Sequence, residues 1–129
     1  MVRYVAVNDF GTVVNPGVVD AQTHGNIGLG VGQALLEEVV YDEDGALLTD
    51  SYSTYPLIRA TQLPDFELDR TETPTPNNSL GAKGAGDVSN PAVAPAVVNA
   101  VCDALGIDHI DMPLRPDRVW RAMTAQGAS

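Results

Sequence analysis

The 129-residue sequence predicts an α+β fold of mixed strands and helices, and three observations carry that expectation. Short runs rich in β-branched residues are bounded by Gly, Pro and Asn, the pattern of strands. Two long segments repeat apolar residues at helical spacing. Between them, Asp42-Glu43-Asp44-Gly45 separates two apolar stretches in the manner of a hairpin turn.

In chain order, residues 3–8 form the first strand, ended by Gly11 and Asn15-Pro16-Gly17. Residues 18–37 follow as a helix with Ile27, Val31, Ala34 and Leu35 facing inward. Its glycines are unusual, since each costs about 1 kcal/mol relative to alanine in a helix. Ala21, Gly25, Gly28 and Gly32 fall on one stripe, which lets another backbone or a flat ligand approach closely. Residues 39–41 and 46–49 flank the hairpin turn, and residues 51–59, broken by Pro56, have no clear assignment. A second strand fits 66–73, and Pro74 and Pro76 then hold the chain extended. The next helix fits 91–105, capped by Ser89 or Asn90 and closed by Gly106, with Pro95 suggesting that regular helix begins only there. Val93, Val97, Ala100, Val101, Ala104 and Leu105 mark its inner face. A last helix fits 116–123, with Val119, Trp120 and Met123 on one side, leaving 124–129 as a disordered tail.

Composition narrows the function classes. An apolar fraction of 44% supports a packed core, and no internal repeat or linker breaks the chain, so one domain is expected over 1–123. Net charge is -10 and the pI about 4.2, a surface that repels phosphate backbones and argues against nucleic acid as a partner. The single cysteine, Cys102, excludes an intrachain disulfide and a multi-thiolate metal site, and is expected to be a packed core thiol. No apolar run is long enough to span a membrane and no signal peptide opens the chain, so no membrane and a cytoplasmic setting are expected. His24 and His109 lack neighbours at metal-ligand spacing and read as hydrogen-bonded structural histidines; Tyr52, Tyr55 and Trp120 read as packing residues.

One stretch stands out as a candidate site. Gly81-Ala82-Lys83-Gly84-Ala85-Gly86-Asp87 precedes a helix, and its glycines let backbone amides converge on an anionic or oxo ligand. It holds the only lysine of the chain, and Asp87 places a carboxylate at its end. The lysine precedes the central glycines and no Ser or Thr follows it, so this is not a nucleotide P-loop. Gly28-Leu29-Gly30-Val31-Gly32 likewise lacks dinucleotide-fingerprint spacing. The alternative is an ordinary surface turn with Asp87 capping the following helix.

Taken in order, four stretches resemble the large subunit of molybdenum hydroxylases, the family of xanthine, aldehyde, carbon monoxide and nicotinate dehydrogenases. VNDFGTVVNPGVVDAQTHGNIGLGVGQALLEEVVYDEDGALL is similar to its second cofactor-binding region. TPTPNNSLGAKGAGD resembles its active-site loop, NPAVAPAVVNAVCDALG the helix after it, and MPLRPDRVWRAM its C-terminal end. The resemblance spans nearly all of 1–123 and implies the C-terminal portion of a molybdenum-cofactor-binding domain.

It further implies molybdopterin with molybdenum, in bacteria usually as the cytosine dinucleotide, and a small-molecule substrate such as an aldehyde or an N-heterocycle. Iron–sulfur clusters and FAD would sit on partner subunits, and the remaining part of the large subunit would be a further partner. In the family a glutamate at the end of this loop is the general base for hydroxylation with water-derived oxygen. Asp87 takes that position, Lys83, Gly84, Ala85 and Gly86 the cofactor-side loop, and Gln22 a pterin-contacting glutamine. Asp87 replaces the family's Glu, shorter by a methylene, and Asn26 and Leu29 replace its usual Gly and Gln. The chain alone should therefore be inactive: either one component of such an enzyme, or a non-catalytic binding or assembly module that has lost the base.

Overall fold

A computed structural model describes residues 1–126. The elements run β1 (Tyr4–Asp9), α1 (Pro16–Leu35), a 3-10 turn at Ala60–Gln62, β2 (Phe66–Thr71), α2 (Asn90–Leu105) and α3 (Pro116–Gln126). The mixture is the expected α+β. The chain divides into two compact units, each built from two segments: Met1–Leu29 with Arg59–Pro91, and Gly30–Ile58 with the chain from Ala92 onward.

In the first unit β1 pairs with β2 in parallel, in register from Tyr4 opposite Phe66 to Asp9 opposite Thr71. A parallel pair needs a crossover rather than a tight turn, and the 56 residues between the strands provide it. Tyr4 meets Phe66 edge-on, with ring centroids 5.8 Å apart. Phe10, Val19 and Ile27 form this unit's buried apolar set. The other face of β1 is different: Val5 and Val7 alternate with the inward residues yet remain more than half exposed. β2 ends two residues before the strand expected from sequence.

The second unit buries Val31, Ala34, Val93, Val97, Ile110 and Leu114. Each of these except Ala34 contributes about 1.5–3 kcal/mol on leaving water. The Leu114 amide donates to the Ala34 carbonyl at 2.7 Å, and Arg115 and Arg118 both reach the Glu38 carboxylate. α2 closes with paired bonds, Gly106 N–H to the Asp103 carbonyl and Ile107 N–H to the Cys102 carbonyl, with Gly106 at φ +65°. This is the Schellman arrangement expected of Gly106. Nothing lies near the position of a Gly106 Cβ, so only backbone strain opposes a side chain there. Gly106→Ala should cost about 1 kcal/mol, read as a lower unfolding midpoint.

Several expectations are corrected. α2 is regular through Pro95, which lies exposed in its second turn with Pro91, whose carbonyl loses its helical donor, also exposed. Of its expected inner face only Val93 and Val97 are buried, Ala100 and Ala104 are exposed, and Cys102 is half-buried rather than in the core. The hairpin at 39–49 is reduced to one antiparallel bridge, Tyr41 to Leu47, around a turn with Gly45 at φ +82°. α3 runs to Gln126, so residues 124–126 of the expected tail are helical; residues 127–129 lie outside the described residues. Tyr52 and Trp120 are exposed at 92% and 63% rather than packed, whereas Tyr55 donates its hydroxyl to Glu37 at 2.8 Å. The small-residue stripe of α1 is in close contact only at its later half: Gly28 meets Leu63 and Gly32 meets Ile58, but Gly25 faces open space.

Candidate active site

The Gly-rich loop is fastened to the end of β1 at its N-terminal side. Gly11 and Ala82 form an antiparallel bridge, and the Lys83 amide donates to the Phe10 carbonyl at 2.9 Å. The Gly81 carbonyl accepts from both Thr12 and Thr75. Gly11 and Gly81 adopt φ +58° and +69°, the left-handed region that glycine enters without a Cβ penalty. Asn78 completes the turn, its carboxamide bonding Leu80 and Ala82.

Asp9 is the anchor that sequence reasoning missed. One carboxylate oxygen accepts the Gly11 and Thr73 amides at 2.8 and 3.1 Å, while the other faces Lys83 Nζ at 3.1 Å. The Gly11 amide bond, then the Thr73 bonds, with help from Lys83, hold its carboxyl well below the usual carboxylate range. Burial opposes that shift without reversing it. The available signal was Asp9-Phe10-Gly11, an Asp two residues before a turn glycine, which favours a local side-chain-to-amide bond.

The folded value is depressed, so this anchor contributes in full above the unfolded carboxyl value near 3.9 and is lost as pH falls through the folded value. On acidification below about pH 4, the wild-type unfolding midpoint should fall more steeply than that of Asp9→Asn. Parallel pH curves for the two proteins would exclude the anchor.

Lys83 therefore spends its charge on Asp9, leaving two further ammonium donors for any ligand. Gly84, Ala85, Gly86 and Asp87 follow without regular structure. Among the described residues, none of their four amides has a protein acceptor. Nothing lies within 4 Å of where a Cβ would stand on Gly84 or Gly86. The Asp87 side chain is exposed and, among the described residues, makes no hydrogen bond, so it does not cap α2. Asn26, 8% exposed on α1, donates to the Gly86 carbonyl at 2.9 Å. Gln22 lies exposed one turn earlier on the same face of α1 as Asn26. Thus the structure ties Asn26 to the expected loop, places Gln22 on the adjoining turn, and pairs Lys83 with Asp9. Among the described residues, no hydrogen bond joins Gln22 to Asp87.

Elsewhere in this unit, a cleft of about 350 Å³ is lined by Asn8, His24, Phe66 and Arg70 and includes no residue of the 81–87 loop. His24 there is held by the Asp20 carbonyl at 2.7 Å and lies against Phe66. His109 pairs with Asp111 at 3.0 Å on the surface. Among the described residues, no three His, Cys, Asp or Glu side chains gather closely enough to hold a metal ion. Within the same residues no helix is long and apolar enough to cross a membrane.

Comparison with known proteins places the chain as a whole. Residues 1–64 match the model of the molybdopterin cofactor-binding domain. The chain is 35% identical over 124 residues to the carbon monoxide dehydrogenase large chain of Hydrogenophaga pseudoflava, covering 94% of this chain and 15% of that one. It is 32% identical over 126 residues to the xanthine dehydrogenase molybdenum-binding subunit of Escherichia coli O157:H7, covering 97% and 17%. Among solved structures, it superposes on the Cu,Mo-containing carbon monoxide dehydrogenase with a TM-score of 0.89 and 36% identity, over 97% of this chain and 16% of that one. The chain spans about 15% of the length of the curated relatives it matches. Over that share, it belongs to the molybdopterin-binding large-subunit family of the molybdenum hydroxylases, the group of xanthine and carbon monoxide dehydrogenases.

Proposed function

We propose that this chain supplies one wall of the molybdopterin pocket in a multi-subunit molybdenum hydroxylase, with Asp87 as the general base. The observation that carries the proposal is the loop itself: four consecutive amides without acceptors among the described residues, ending on an exposed carboxylate and fastened at its N-terminal end. Backbone N–H groups with one carboxylate fit a metal that arrives already chelated by an organic cofactor, and lack the side chains to hold a bare ion. Gly84 and Gly86 leave open the space that a Cβ would occupy. When bound, the cofactor, in its cytosine dinucleotide form, supplies the redox centre that takes two electrons from the substrate.

The amides of Gly84, Ala85 and Gly86 bind and orient the cofactor's oxygen ligands, and Gln22 contacts the pterin. Lys83 holds the loop to Asp9 and offers its spare N–H groups to the same ligand. Asp87 takes the proton from the water-derived nucleophile as it attacks an electron-poor carbon of an aldehyde or N-heterocycle. Relatives named for carbon monoxide and for xanthine both share this segment, at 35% and 32% identity, which supports a substrate chosen largely by residues outside it. Iron–sulfur and FAD subunits receive the electrons, in a cytoplasmic setting.

Val5, Val7 and Leu29 support the need for the rest of the large subunit, because each leaves an apolar side chain more than half exposed. A two-stranded sheet with both outer edges unpaired is also marginal by itself. Co-expression with the remaining large-subunit segment should give a stable complex containing molybdenum and pterin in equal amounts to this chain. A stable complex without molybdenum would overturn the proposal.

A further inference from the structure

From Gly84 to Val88 the loop makes a single hydrogen bond among the described residues, and Asn26 makes it. The neighbouring fixed points are the Lys83 amide on the Phe10 carbonyl and the Ser89 hydroxyl, which accepts from Asn8 at 3.0 Å. Two of the five residues between them are glycines, so the stretch has wide backbone freedom unless something restricts it. Asn26 is almost fully buried on α1, and its carboxamide reaches out to the Gly86 carbonyl. Thr23, the other buried polar residue of that helix, bonds to its own helix at Val19 and leaves the loop untouched.

The carbonyl that Asn26 holds belongs to the peptide joining Gly86 to Asp87. The one cis peptide among the described residues is Met112–Pro113, so Gly86–Asp87 is trans and planar. In a trans peptide the N–H points opposite to the C=O. Drawing the Gly86 carbonyl towards α1 therefore turns the Asp87 N–H away from it. The same plane fixes the position of the Asp87 Cα, from which the carboxylate extends by rotations of Asp87 itself.

We infer that Asn26 is a positioning residue: by holding the Gly86–Asp87 peptide plane it aims the Asp87 amide and sets the Cα from which the Asp87 carboxylate reaches out. This rests on the reading of Asp87 as general base. The test uses the complete molybdenum complex carrying Asn26→Ala, and Asn26→Asp, which keeps the volume but replaces the donor with an acceptor. Gly86-Asp87 is the only Gly-Asp pair in this sequence, so ¹³C-carbonyl glycine with ¹⁵N aspartate in this chain marks that one peptide in solid-state NMR. Both variants should shift the carbonyl signal upfield and lower kcat about tenfold, with KM and molybdenum content nearly unchanged; Asn26→Asp, which buries a carboxylate, should also lower the unfolding midpoint. An unmoved carbonyl signal, or a shifted one with unaltered kcat, overturns the inference. An Asp87→Ala complex separates the two claims: if it is inactive while the Asn26 variants leave the signal in place, only the positioning role fails. Full activity of Asp87→Ala removes the base, and the positioning role with it.

Discussion

Asp87→Ala in the assembled complex should lower kcat by about 10²- to 10⁴-fold, the range spanned by loss of a positioned general base. KM and molybdenum content should stay near wild type, because the exposed Asp87 side chain bonds to no other protein group. Asp87→Glu should instead raise turnover. The added methylene extends the carboxylate by about 1 Å, and a misplacement of that size can cost on the order of a hundredfold. Both variants leave the loop's anchors at Asp9, Gly11 and Asn26 intact. A complex indifferent to both substitutions is a non-catalytic cofactor-binding or assembly module.

Gly11→Ala should be the most damaging single-methyl change in the chain. A Cβ on Gly11 would overlap the Gly81 carbonyl oxygen, which already accepts from Thr12 and Thr75. The obstacle is backbone on both sides, so no side chain can rotate out of the way. Positive φ at Gly11 adds strain of its own. Together these should destabilise the protein by about 3–5 kcal/mol. Gly45→Ala is the matched control: φ is also positive there, but open space surrounds it, and the cost should be about 1 kcal/mol. Equal losses in chemical denaturation would show that the loop moves aside freely. In the complex, Gly11→Ala should also lower molybdenum content, because the bridge to Ala82 leads directly into the amides proposed to face the cofactor.

Local patterns in the sequence carried the elements. Apolar spacing on α1 identified Ile27, Val31 and Ala34, all of them fully buried, and Gly106 closed α2 where a left-handed residue was expected. Failures came where contacts distant in sequence decide the outcome. Pro95 is accommodated in α2 because its side of the helix is exposed, a matter of packing rather than propensity. At 39–49 the turn formed, but the flanking residues gained no further strand partners and kept one bridge.

The site divides in the same way. Glycine spacing and the lone lysine marked residues 81–87 in advance, since those features are local. The partners that hold the loop, Asp9 and Asn26, lie 74 and 60 residues from Lys83 and Gly86. In sequence, Asn26 was legible only as a departure from the family pattern. Its donation to Gly86 turns that departure into a contact with the loop itself.

The most direct measurement is a crystal structure of the molybdenum-loaded complex containing this chain. The Gly84–Gly86 amides should lie in hydrogen-bond contact with the cofactor, and the Asp87 carboxylate within hydrogen-bond reach of the reacting centre or one water away. A loaded complex whose 83–87 loop faces away from the cofactor would contradict this.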